Sequence, residues 1–100
     1  MKVVESMYGL TKLFPQEEKF GLTSQMRRAA VSIPSNIAEG RRRSTEQDYK
    51  HFLHMAYGSV AELETQLEIG VRLGFVKKQD AKHVEELLTE VGKMLHALLS

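Results

Sequence analysis

The stretch FGLTSQMRRAAVSIPSNIAEGRRRS, Phe20 to Ser44, decides the fold. Within it Leu22, Met26, Ala29, Ala30, Ile33 and Ile37 recur at spacings of three and four, the period of one helix face. Thr23 or Ser24 offers a hydroxyl to cap this helix. Pro34 falls inside the pattern, where a proline removes a backbone donor, costs on the order of 3 kcal/mol and kinks a helix. Ile33 and Ile37 nevertheless continue the stripe of Met26 and Ala30 in phase, so the spacing predicts one kinked helix rather than a pair of short ones. Gly40 either ends that helix or lets a neighbour approach closely. Three consecutive arginines, Arg41, Arg42 and Arg43, follow at the corner.

The same period extends outward in both directions. Upstream, Val3, Met7, Leu10 and Phe14 predict a first helix from about Lys2 to Leu13, ended by Pro15, which disfavours helical geometry in the residue before it. Phe14–Leu22 is then a connection. Downstream, Ser44 with Gln47 makes a capping-box pattern, and Thr45 is the alternative cap. A long third helix carries Tyr49, Leu53, Ala56, Val60, Leu63, Leu67 and Val71 on its inner face. Gly74 followed by Phe75 reads as its C-terminal cap. A fourth helix from about Lys78 to Leu98 turns Val84, Leu87, Leu88, Val91, Met94, Leu95 and Leu98 inward. It lacks a good capping side chain, although Asp80 suits the positive end of the helix dipole. No alternating β pattern, internal repeat or low-complexity segment occurs. Short connections between helices imply antiparallel neighbours, so the expected fold is all-α, an antiparallel up-down four-helix bundle in a single domain over residues 1–100.

A domain of this size has much surface for its volume, which favours oligomerisation. Cysteine is absent, which excludes disulfides, a thiolate nucleophile and cysteine metal sites, and suits a reducing cytoplasm. No apolar run approaches the roughly 20 residues of a membrane span, and no continuous apolar stretch follows the start as in a signal peptide. The net charge of +1 conceals an asymmetry. Residues 19–54 hold seven Lys or Arg against three Asp or Glu, whereas residues 55–100 hold five against seven. A basic middle points to an acidic partner.

Arg41, Arg42 and Arg43 share one end of the bundle, and Lys50, with His51 and His54, lies within about three turns of the following helix. Arginine forks suit phosphate by charge and geometry. These four residues, Arg41, Arg42, Arg43 and Lys50, are the candidate nucleic-acid-binding set. No aromatic side chain is interleaved in the arginine run, so backbone contacts with little reading of bases are expected. Glu39 and Arg43 are i,i+4 partners. Arg27 and Arg28 are expected to pair with Glu62 or Glu64 of the neighbouring helix. Ser32, Ser35 and Asn36 form a polar strip that suits close helix packing. Asp48-x-x-His51 and Asp80-x-x-His83 resemble the Glu-x-x-His pairs of di-iron bundles. Asp48 and His51 fall outside the inner stripe, so neither a metal nor a cofactor is expected. No nucleophile motif or phosphate-cradling glycine loop indicates catalysis. Met55, Ser59, Glu62, Gln66, Ile69 and Leu73 make a second face on the third helix, and Val31, Pro34 and Ala38 leave the main stripe of the second. Such apolar strips with polar rims mark subunit contacts.

Gly21-Leu22-Thr23-Ser24-Gln25, Arg27-Arg28-Ala29, the run Ser32 to Gly40, and Ala61-Glu62-Leu63-Glu64-Thr65-Gln66-Leu67 closely resemble the four-helix bundle proteins related to the 23S rRNA intervening-sequence proteins. The resemblance covers about Phe14 to Leu98. The accessory variability proteins of diversity-generating retroelements are relatives of that group. The resemblance implies an up-down bundle assembled as a ring, typically a pentamer, without catalytic residues; the retroelement relatives contact reverse transcriptase and nucleic acid. Such proteins usually open with a longer, aromatic-rich first helix, and this chain starts well inside it. The expected function is a non-enzymatic, homo-oligomeric bundle that binds RNA or DNA through its arginine clusters. The alternative is a protein-interaction scaffold.

Overall fold

In a computed structural model that describes residues 1–100, the apolar stripes close into four helices: α1 (Lys2–Thr11), α2 (Leu22–Arg41), α3 (Glu46–Arg72) and α4 (Lys78–Leu99). A single 3-10 turn, Gln16–Glu18, interrupts the connection between α1 and α2. Helix α2 packs against α1 and α3, and α4 packs against α3 and α1, so the diagonal pairs are the more widely separated ones. The short connections Arg42–Thr45 and Leu73–Lys77 reverse the chain, which gives the expected up-down bundle. No helix is long and apolar enough to cross a membrane.

The predicted inner stripes supply most of the core. Val3, Met7, Leu10 and Phe14 of the first segment are buried, as are Met26, Ala29, Ala30, Ile33 and Ile37 of α2. Leu53, Ala56, Val60, Leu63 and Leu67 of α3 meet Ala81, Val84, Leu88 and Leu95 of α4 in the same cluster. Truncating one fully buried leucine such as Leu63 to alanine costs about 2–5 kcal/mol, through lost transfer energy and the cavity left behind. Met94 and Leu98 depart from expectation and stay exposed. At 100° per residue they lie about 120° and 80° from Leu88, on a flank rather than on the buried stripe.

The helix ends correct several local expectations. Helix α1 stops at Thr11, and Leu13 is exposed rather than helical. Neither Thr23 nor Ser24 caps α2; Gly21 holds the cap position, and the Leu22 N–H donates to the Glu18 carboxylate at 3.3 Å. Thr23 and Ser24 already lie inside the first turn, and a carboxylate suits the positive end of the helix dipole. Helix α2 then runs unbroken through Pro34. The Asn36 amide donates to the Ser32 carbonyl at 2.8 Å, adding a side-chain donor beside the turn where Pro34 has no N–H.

Gly40 does not end α2. It lies inside the helix, and a Cβ there would stand 3.2 Å from both the Tyr49 carbonyl oxygen and the Phe52 Cβ. Close packing is therefore its role. Across the same seam the Ser32 hydroxyl hydrogen-bonds the Ser59 hydroxyl. Helix α3 is capped by Thr45, whose Oγ1 accepts the Asp48 N–H at 3.1 Å; the Ser44–Gln47 capping box does not form, because Ser44 lies one residue too early. At its other end Gly74 adopts φ +78°, and the N–H groups of Phe75 and Gly74 reach the Gly70 and Val71 carbonyls at 2.9 and 3.0 Å. This double bond closes the helix as the Gly74–Phe75 pair predicts. Phe75 packs on Phe14, with ring centres 5.5 Å apart.

Two substitutions test these assignments by urea denaturation followed by far-ultraviolet circular dichroism. Thr45→Ala will lower stability by about 1 kcal/mol, the usual loss for an N-cap hydroxyl, whereas Ser44→Ala will stay within about 0.5 kcal/mol. Gly40→Val will lower it by about 1–3 kcal/mol through overpacking of the α2–α3 seam.

Candidate functional site

The arginine corner is part of the helix end rather than a loose loop. Arg41 is the last residue of α2 and Arg42 its C-cap; the N–H groups of Arg42 and Arg43 donate to the Glu39 and Gly40 carbonyls at 3.1 Å each. Lys50 follows one turn into α3. The four candidate residues are thus carried by one rigid corner, but they are not equivalent.

Arg43 is committed within the chain. Its guanidinium pairs with Glu39, the expected i,i+4 partner, and lies 4.6 Å from the centre of the Phe52 ring. The aromatic contact was not anticipated, although Phe52 stands beside His51 in the sequence; His51 meets the edge of the same ring. Lys50 lies 3.8 Å from the Glu46 carboxylate. Both pairs are solvent-exposed and worth a few tenths of a kcal/mol, so a competing anion displaces them readily. Arg41 and Arg42 are exposed and form no ion pair. With Asp48 also present, the corner from residue 39 to 50 sets four cations against three carboxylates.

Arg27 and Arg28 overturn their expected pairing with Glu62 or Glu64: no such ion pair forms. Arg27 turns toward α1, where its Nε donates to Thr11 Oγ1 at 2.8 Å and its guanidinium carbon lies 4.7 Å from the centre of the Tyr8 ring. Arg28 is exposed; it borders the outer α2–α3 groove together with Glu62 without pairing. Thr11 and Tyr8, three apart on one helix, were the signal for this contact. Neither carries an apolar period, so neither stands out from the helical pattern.

Asp48, His51, Asp80 and His83 are all exposed, and no three metal-ligating residues converge. No ionisable side chain is buried; the buried polar residues are Thr11, Thr23 and Gln66. Of the second face on α3, Met55, Ile69 and Leu73 are exposed, as is Val31 on α2. Gln66 is buried, and its Oε1 has no hydrogen-bond partner.

This arrangement of four helices accompanies a family match over nearly the whole chain. The model of the 23S rRNA-intervening sequence proteins matches residues 1–97. The chain belongs to this family. A similar solved structure is the crystal structure of a protein of unknown function from the S23 ribosomal protein family of Bacteroides thetaiotaomicron, with a TM-score of 0.85 at 22% identity. The similarity covers 97% of this chain and 88% of that one. At this identity it shows the shared fold. No curated protein matches the chain. Within this 23S rRNA-intervening sequence family fold, the arginine corner sits where α2 turns into α3.

Removing the carboxylate behind Arg43 will show how weakly it is held. Glu39→Gln will change folding stability by no more than about 0.5 kcal/mol, as expected of an exposed i,i+4 pair, measured by urea denaturation.

Proposed function

We propose that this protein is a non-enzymatic bundle that assembles with copies of itself, as a pentameric ring, and holds RNA or DNA through phosphate contacts from Arg41, Arg42, Arg43 and Lys50. One observation carries the proposal: Arg41 and Arg42 are exposed at a rigid helix corner without a carboxylate partner. Arg43 and Lys50 join them when phosphate replaces the Glu39 and Glu46 carboxylates. The family description names ribosomal RNA, which agrees with an RNA partner. The exposed apolar residues Met55, Ile69 and Leu73 on one face of α3 support self-assembly, since apolar strips of this kind mark contacts. A ring multiplies a modest patch by avidity. An aqueous, reducing cytoplasm is the compartment that suits this reading.

A protein scaffold is the second reading. It is favoured by the three carboxylates interleaved with the corner, Glu39, Glu46 and Asp48, which lower its attraction for a polyanion.

Titration of a structured RNA and a DNA duplex against salt, followed by fluorescence anisotropy, separates the readings. Nucleic-acid binding will weaken with salt, and Arg41→Ala/Arg42→Ala will flatten the log–log salt slope by about two for each engaged subunit on duplex DNA. Salt-insensitive curves that are identical for both proteins refute phosphate binding and favour the scaffold. Light scattering at micromolar concentration tests the assembly, where a monomer counts against the ring.

A further inference from the structure

We propose that the groove between α1 and α2 is a second, separate site, built to hold a phosphate-type oxyanion between Arg27 and Arg28. The groove, about 560 Å³, is lined by Tyr8, Ser24, Arg27, Arg28, Val31 and Ser32. An adjoining cleft of about 200 Å³ shares Arg27 and adds Lys12 and Lys19. No carboxylate lines either one.

The state of Arg27 makes the case. It is half-buried, and no carboxylate pairs with it. Its Nε is fixed on the Thr11 hydroxyl, which is itself buried and donates to the Met7 carbonyl at 2.9 Å. Its guanidinium carbon lies over the Tyr8 ring. With Nε engaged, the terminal nitrogens make no further hydrogen bond and remain as an oriented donor pair. Planar guanidinium forks match phosphate oxygens two at a time, which a lysine in the same place does not. Arg28, the next residue, supplies a second exposed and unpaired guanidinium on the same groove. The hydroxyls of Ser24 on the α2 wall and Tyr8 on the α1 wall make no hydrogen bond within the chain and line the same groove. The site lies 14 residues along α2 from Arg41, which at 1.5 Å per residue is about 20 Å. It stands whether or not the arginine corner binds nucleic acid.

The phosphate has two sources, a free phosphate ester or the phosphodiester backbone of a nucleic acid. The test uses the full chain carrying Arg41→Ala/Arg42→Ala, so that the corner does not contribute. Inorganic pyrophosphate, adenosine diphosphate and a short single-stranded RNA are each titrated by calorimetry and by amide and arginine Nε–H NMR shifts. Saturable binding with shifts at Ser24, Arg27 and Arg28 is expected. Arg28→Ala, which removes no contact within the chain, and Arg27→Lys, which keeps the charge and loses the fork, will each weaken it about tenfold or more, the usual size for a charge-assisted hydrogen bond. Binding of adenosine diphosphate identifies a free phosphate ester, with pyrophosphate reporting whether the diphosphate group alone suffices; binding of the RNA alone identifies a phosphodiester. Absence of saturable binding by all three, or binding indifferent to Arg28→Ala and Arg27→Lys in chains that retain full helicity, overturns the proposal.

Discussion

Where α2 meets α3, the helices approach tightly at residue 40: a Cβ on Gly40 would stand 3.2 Å from the Tyr49 carbonyl oxygen. Further along the seam two small residues, Ser32 and Ser59, bond across it through their hydroxyls. Small side chains bring two helix backbones together, and close backbones allow a short, stiff connection between them. The Arg42–Thr45 turn is that connection, fastened by the Thr45 cap on one side and by the Arg42 and Arg43 N–H groups on the other. Three arginines are thereby presented by a fixed corner. A longer, looser loop would have to lose conformational freedom before it could present them to a ligand.

The positive charge of the chain divides by environment rather than by sequence. Arg43 stacks on Phe52, and Arg27 is clasped by Thr11 and Tyr8. Arg41, Arg42 and Arg28 are left to solvent. Adjacent arginines in one run therefore differ in purpose: some hold helices together, while others are available to a partner. A net charge of +1 expresses none of this.

The fold was legible because one kind of physics dominates it. Apolar side chains at helical spacing identify the core, and nearly all of the inner positions read from the stripes are buried or half-buried. Gly74 was legible too, since its left-handed backbone demands that residue type. What escaped were contacts that leave no periodic trace. Glu18 caps α2 from the preceding turn, and nothing in the spacing distinguishes it from Thr23 until Thr23 is seen to lie inside the first turn. Arg27 chose Thr11 and Tyr8 of α1 over carboxylates of α3 because of the side of α2 it occupies. That choice depends on which helices are neighbours, a property of the assembled bundle. Arg41, Arg42 and Arg43 do share the turn between α2 and α3, but their division into engaged and free arginines required Phe52 and Glu39 in three dimensions.

The order of helix neighbours bears on how the chain reaches this structure. Contacts α1–α2, α2–α3 and α3–α4 join elements consecutive in the sequence; only α1–α4 joins distant ones. Local contacts close small loops and form early, which places such bundles among the fast-folding topologies. The α2–α3 and α3–α4 hairpins, with their short, capped turns, are the units able to form first. Docking of the ten-residue α1, which must reach both α2 and α4, pays the largest loop-closure entropy. The Arg27–Thr11 clasp, between residues 16 apart on consecutive helices, is a local contact of this kind, whereas the α1–α4 seam is the one whose closure spans nearly the whole chain.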